Sequence, residues 1–321
     1  MMSQAWDSSI RDELHQVEQE IHRNIHSEQP ILTEICDYVI SSGGKRMRPG
    51  VTILSYLANG GKDVSEAVKI AAAFEMIHSA TLIHDDINDR SEMRRGKMSA
   101  YKKYGLQQAL IGGDFLFVKA FGIGGFFNEE IVTLVAQACT AIAESEIVQI
   151  EEEGQVAPLD IYLNIIEGKT AKPIMAGARI GAYLAKADPE RIRSMGEYGL
   201  NIGMAFQIVD DILDITGSEK TLGKPRMVDF DERKATLPLI YAMEDGGVGA
   251  QLSKLFHKKR KTDADVERAV DLISRTDAIE RAKEKAREFA DKALSALDEL
   301  PESAHRAGLR QLAETVVNRS Y

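Results

Sequence analysis

Several things are scarce in this chain, and each scarcity removes a class of protein. Two cysteines, Cys36 and Cys139, stand far apart and form no CxxC pair. A disulfide framework and a thiolate zinc site are therefore excluded, and both residues read as buried thiols of a reducing, cytoplasmic setting. Only eight prolines interrupt 321 residues, so long stretches of Ala, Leu, Ile, Glu and Lys are left free to form helix. Positive charge is in deficit, with 40 Lys and Arg against 50 Asp and Glu and a net charge of -10. That balance speaks against a nucleic-acid partner, which needs a basic face. No stretch reads as the roughly 20 apolar residues of a transmembrane segment. The start, MMSQAWDSSIRDELHQ, is polar and acidic and does not read as a signal peptide. Strand alternation is weak and no Gly-rich turn follows a strand, which excludes dinucleotide-binding and P-loop arrangements.

What remains is helical periodicity. Apolar residues recur at helical spacing over 8–27, 31–41, 49–58, 63–89, 107–121, 128–151, 159–184, 189–216, 235–244, 263–274, 276–298 and 302–319. Ser41-Ser42-Gly43-Gly44 and Asn59-Gly60-Gly61 break the pattern as loops. With 44% hydrophobic residues a large core is available. The expectation is an all-α protein, a bundle of long helices around a central cavity, forming one domain over 1–321. The polar stretch 217–234, with Gly223 and Pro225, reads as a lid over a neighbouring site.

Two acid clusters sit inside apolar helical stretches: Asp85-Asp86-Ile87-Asn88-Asp89 and Asp210-Asp211-Ile212-Leu213-Asp214. Positions i and i+4 share a helix face, which sets Asp85 over Asp89 and Asp210 over Asp214. Like charges at that spacing repel. Hard oxygen donors packed so closely call for cations such as Mg²⁺. Two clusters facing each other would hold several ions around a polyanion such as a diphosphate. Cations stand nearby in sequence. Arg94 and Arg95 follow the first cluster, and the loop Gly43-Gly44-Lys45-Arg46-Met47-Arg48-Pro49 brings three more to the start of a helix, a natural place for phosphate oxygens. Taken singly, Lys45 and Arg46 read as surface charge. His78 lies seven residues before Asp85 and so on the same helix face.

The segments GGKRMRP (43–49), EMIHSATLIHDDINDRSEMRRG (75–96), GGDFLF (112–117), EGKTAKP (167–173) and FQIVDDILDITGSEKTLGKP (206–225) together resemble the trans-isoprenyl (polyprenyl) diphosphate synthases over nearly the whole chain. The resemblance implies a homodimeric isoprenoid synthase-type bundle. It also implies a head-to-tail condensation of an allylic diphosphate with isopentenyl diphosphate. By resemblance, Lys45, Arg48, His78 and Arg95 hold isopentenyl diphosphate. Asp85, Asp89, Asp210 and Asp214 hold Mg²⁺, roughly three ions per site with substrate bound, with Asp86 and Asp211 alongside as catalytic groups. Arg94, Lys169, Thr170, Gln207, Lys224 and Lys234 serve the allylic side. The sequence departs from the family pattern at Arg226-Met227-Val228-Asp229, at Lys234-Ala235 and at Lys97-Met98-Ser99-Ala100, which touches the lid more than any metal ligand.

The growing tail is expected to run down the helix away from Asp85. Ala80 and Thr81 lie roughly 6–8 Å along it, where shorter-chain members of the family often carry an aromatic plug. Ala80 leaves the path open, with Ile77 and Met76 next, so the product is expected to be of geranylgeranyl to geranylfarnesyl length or longer. The alternatives are a farnesyl-length synthase, a catalytic subunit of a heteromeric long-chain synthase, and a terpene cyclase. The second DDxxD and GGKRMRP both speak against the cyclase.

Overall fold

The computed structural model describes residues 5–217 and 226–318. They are almost entirely helical. In order come a short 3₁₀ turn (Ala5–Asp7), α1 (Arg11–Asn24), α2 (Pro30–Ile40), α3 (Met47–Ala58) and α4 (Ser65–Asn88). A small hairpin, β1 (Met93–Arg94) and β2 (Lys97–Met98), leads into α5 (Ala100–Tyr104), α6 (Leu106–Gly124) and α7 (Glu129–Glu151). Then follow α8 (Leu159–Ile166), a π-helical segment (Glu167–Ala171), α9 (Lys172–Leu184) and α10 (Pro189–Thr216). The remainder is α11 (Val228–Asp231), α12 (Leu237–Met243), α13 (Gly249–Phe256), α14 (Asp263–Ser274), α15 (Ala278–Ser295) and α16 (Ala304–Val317).

Where sequence periodicity was strong, the elements agree with it: 189–216 and 263–274 match end to end. Among the described residues five short elements escape it, namely the 3₁₀ turn, the hairpin, α5, α11 and α13, because so short an element holds too few residues to show a period. The stretch 159–184 does not form one α-helix. It widens into a π turn at Glu167–Ala171.

The residues gather into two compact units. The first holds residues up to Gln137, with Pro173–Gly199 and Ala296–Leu312. Its axis is α4, which is apolar on nearly every side and buries residues from Ala67 through Ile83; such a helix must be wrapped. It packs against α1, α3 and α6. The second holds Ala138–Lys172, Leu200–Ser295 and the residues from Ala313 on. There α12 packs against α15, whose buried Ala278, Ala282, Ala286, Ala290 and Ala293 form a narrow small-residue stripe that lets the helices approach closely.

One helix bears on the expectation that no stretch spans a membrane. Helix Glu129–Glu151 contains an 18-residue window of mean hydropathy 1.5, long and apolar enough to cross a membrane by length and composition alone. About a third of that window (33%) is buried in the protein.

Candidate active site

In the first unit, the acid cluster occupies the last turn of α4. The helix closes immediately after it. Arg90 N–H donates to Ile87 O (3.3 Å) and Ser91 N–H to Asp86 O (3.0 Å), with Arg90 in the left-handed region at φ 54°. This is a Schellman stop with arginine in the usual glycine place. The stop reverses the chain and feeds the hairpin. A two-residue turn follows, with Arg95 at φ 52° and Gly96 at φ 74°; both central residues are left-handed, as a type I′ turn requires. The turn returns Arg94 to the helix it has just left. Its Nε and Nη2 donate to Asp86 Oδ1 at 2.9 and 2.5 Å. Asp86 is buried, and burial pushes its carboxyl above the usual range while Arg94 pulls against that. Asp86 is thereby committed to Arg94. Asp85 and Asp89, on either side, are half-buried.

The basic loop meets the same helix. Arg46, at φ 49° and directly before α3, is buried. It donates to Glu75 Oε1 at 2.5 Å and to Ile40 O at 3.0 Å, with Glu18 at 3.5 Å. Arg46 is therefore an anchor, against the reading of it as surface charge. It pins the loop that carries half-buried Lys45 and Arg48. Arg95 donates to Gly43 O in that loop. His78, one turn along α4 from Glu75, feels the charges of Arg48, Arg95, Arg94 and Arg46; burial and these arginines hold its imidazole well below the usual 6.5. A neutral imidazole among four guanidinium groups is a set of hydrogen-bond donors suited to a multiply charged anion. Ala80, Ile77 and Met76 are fully buried along α4.

In the second unit, Asp210, Asp211 and Asp214 lie in the last two turns of α10. Asp210 is half-buried, whereas Asp211 and Asp214 are buried. Asp214 accepts from the Asp229 N–H at 3.2 Å, and its own carbonyl accepts from Met227 N–H at 2.8 Å, which fastens the start of α11 to α10. Asp211 accepts from Tyr162 Oη (2.6 Å) and Gln207 Nε2 (2.9 Å). Gln207 Oε1 in turn accepts from Thr170 Oγ1 at 2.9 Å. Burial, then the negative charge of Asp229, pushes Asp211 well above the carboxylate range.

Thr170 and Lys169 are carried by the π segment. Two glycines permit its close packing. A Cβ on Gly168 would overlap Ser145 Oγ, and one on Gly203 would stand 2.5 Å from Ala171 Cα. Lys169 Nζ pairs with Glu146 Oε2 at 2.5 Å and reaches Gln149 Oε1 at 3.3 Å. Lys234 is half-buried beside Glu232 at 2.9 Å. Lys224 and the lid's Gly223 and Pro225 lie outside the described residues.

Among the described residues, no three His, Cys, Asp or Glu side chains form a ready-made metal cage. The donors fit Mg²⁺ nonetheless. They are carboxylate oxygens paired one helical turn apart at helix C-terminal ends, where the dipole is negative. Mg²⁺ is commonly held by one or two carboxylates, with water and substrate phosphate completing the shell. Sequence reasoning missed Arg46, Glu75, Glu146 and Tyr162. Glu75 had a signal, as the one charge inside the apolar run Ala71–Ile77.

Two outcomes follow from burial. Arg46→Met strands the Glu75 carboxylate and is expected to cost about 3–5 kcal/mol, read from urea unfolding; the double variant Arg46→Met/Glu75→Leu should recover much of the loss. The unfolded chain protonates His78 near 6.5, whereas the folded chain resists it. The unfolded state thus binds more protons as pH falls below about 6.5, and stability is lost there. Subtracting the stability–pH curve of His78→Gln from that of the parent should isolate this acid-side slope, and superimposable curves would contradict it.

Residues 29–273 match the polyprenyl synthetase family model. The chain is 36% identical over 324 residues to heptaprenyl diphosphate synthase component 2 of Geobacillus stearothermophilus, covering 100% of both. It is 34% identical over 305 residues to octaprenyl diphosphate synthase of Escherichia coli (strain K12), covering 93% of each. Among solved structures it is similar to a polyprenyl synthase from Caulobacter crescentus CB15, complexed with calcium and isoprenyl diphosphate. That similarity has a TM-score of 0.94 at 35% identity and covers 98% of this chain and 97% of that one. The acid clusters, the arginine-rich α4 surroundings and these likenesses converge: the chain belongs to the polyprenyl synthetase family and is a trans-prenyltransferase.

Proposed function

We propose that this enzyme condenses an allylic diphosphate with isopentenyl diphosphate, head to tail and with Mg²⁺, into a long all-trans polyprenyl diphosphate, working in the cytoplasm as a homodimer. The observation that carries the reading is chemical. Each acid cluster ends a helix whose own unit also supplies groups suited to a diphosphate substrate. Around α4 these are Lys45, Arg48, His78, Arg94 and Arg95; beside α10 they are Lys169, Thr170 and Gln207.

Held at Asp85 and Asp89 in the first unit, and at Asp210 and Asp214 in the second, Mg²⁺ would supply Lewis-acid neutralisation of the leaving diphosphate. The protein's own groups do the rest. Arg94, fixed by Asp86, and Lys169, fixed by Glu146, add positive charge where the departing group gathers negative charge. Lys45, Arg48, Arg95 and neutral His78 hold the diphosphate of isopentenyl diphosphate, so its double bond is kept near the allylic carbon as the C–O bond breaks. The new C–C bond forms at that carbon. A proton then leaves, and the released pyrophosphate takes it. Apolar α4 residues exclude water from the cation.

Product length follows from what the tail meets. Ala80 offers a methyl group where an aromatic ring would block, and Ile77 and Met76 lie beyond. This agrees with relatives named for heptaprenyl and octaprenyl products, and we place the product in that longer class. Dimerisation is supported by Leu106, Leu110, Ile111, Val118 and Phe121, which leave an exposed apolar face along α6. The relative named as a component favours a second reading, a catalytic subunit that works with a different chain.

Purified protein, Mg²⁺, isopentenyl diphosphate and allylic primers of graded length test the proposal directly. The chain alone should elongate them, whereas turnover only after a second protein is added would support the heteromer. Asp85→Ala or Asp210→Ala should lower turnover by about 10³-fold or more with unchanged helicity by circular dichroism; near-normal turnover would defeat the metal-clamp account. Ala80→Phe should shorten the product, and an unaltered product distribution would place the tail elsewhere.

A further inference from the structure

We propose that Tyr162 is a positioning residue for this condensation, acting through Asp211 to set the orientation of the Gln207 amide. The inference rests on the function proposed above and concerns a residue outside the acid and basic motifs. Tyr162 lies in α8 and is 4% exposed, as is Asp211. Its phenol donates to Asp211 Oδ2 at 2.6 Å, and the other oxygen, Oδ1, accepts from Gln207 Nε2 at 2.9 Å.

The direction of each bond follows from what the groups can do. Asp211 Oδ1 accepts from the amide nitrogen, so Gln207 turns its NH₂ toward Asp211. Its carbonyl oxygen then faces Thr170, whose hydroxyl donates to it at 2.9 Å. The hydroxyl's hydrogen is thereby used inward, leaving its oxygen lone pairs outward. With the amide reversed, an NH₂ group would face Thr170, and a donor would replace an acceptor beside the allylic substrate. Oxygen lone pairs favour a developing allylic cation, and N–H groups oppose it.

The phenol is what keeps this arrangement single. Asp211 is buried, and the Tyr162 hydroxyl holds its Oδ2 so that Oδ1 faces the Gln207 amide. Burial and the neighbouring Asp211 hold the phenol itself well above its usual range, so it stays a donor. Without it, Asp211 Oδ2 loses this donor and the carboxyl can rotate, so the Gln207 amide no longer meets one fixed acceptor.

The test is Tyr162→Phe, which removes one oxygen. Turnover number should fall by about tenfold or more, with Michaelis constants for both diphosphates changed less than about twofold. In a Gln207→Leu background the same substitution should cost almost nothing, because the group being oriented is gone. An equal fold loss in both backgrounds, or no loss in either, would overturn the proposal in favour of a purely structural tyrosine. Should Tyr162→Phe not fold, a ring-fluorinated tyrosine at the same position keeps the packing and strengthens the donor. Altered turnover with unchanged Michaelis constants supports the proposal, and unchanged turnover overturns it. A parent enzyme with no condensation activity would instead overturn the function on which the inference rests.

Discussion

Asp85 and Asp89 close α4, and Asp210 and Asp214 lie in the last two turns of α10, so in both places carboxylates are added where a helix already ends negative. Each such placement costs roughly 0.3–1 kcal/mol, and the i, i+4 repulsion adds a few tenths more. The surrounding structure answers this potential. The middle aspartate of each cluster is neutralised or hydrogen-bonded from within, Asp86 by Arg94 and Asp211 by Tyr162 and Gln207. Asp85, Asp89 and Asp210 stay half-buried, and in the proposed reading they and Asp214 hold the cations. The middle acid of each DDxxD motif in this protein is therefore set apart from its neighbours by its side-chain partners, though written with the same letter.

The same logic explains the arginines. Three arginines of the first unit adopt left-handed backbone conformations: Arg46, Arg90 and Arg95. For a residue with a Cβ this costs about 1–2 kcal/mol each, and all three lie within or beside the proposed diphosphate site. The strain has a geometric return. It ends α4 abruptly, tightens the hairpin and turns the glycine loop into α3, so guanidinium groups remote in sequence come to surround His78.

Much of this was legible in the sequence. Long helices declare themselves through a sustained 3.6-residue period, and α10 could be read end to end. The acid pairs, being one turn apart, showed their shared face before any coordinates. What stayed hidden depends on contacts remote in sequence. Arg46 looks like its neighbours Lys45 and Arg48 until α4 supplies Glu75. Tyr162 looks like a core aromatic until α10 supplies Asp211. Asp214 looks equivalent to Asp89, yet one is buried against the Asp229 amide and the other half-exposed. The π turn left no trace in periodicity, since five residues at a wider pitch shift the pattern by less than a sequence window resolves.

That π turn has a further implication. Where an α-helix would offer each amide to the carbonyl four residues back, Glu167–Ala171 reaches back five. The widened loop accommodates one residue more than the cylinder around it. Losing a single residue there would restore regular winding, and residues within the turn would rotate by up to about 100°, carrying Lys169 and Thr170 off the face where they now meet Glu146 and Gln207. This short stretch therefore has a length that, counted in single residues, cannot drift without breaking those contacts.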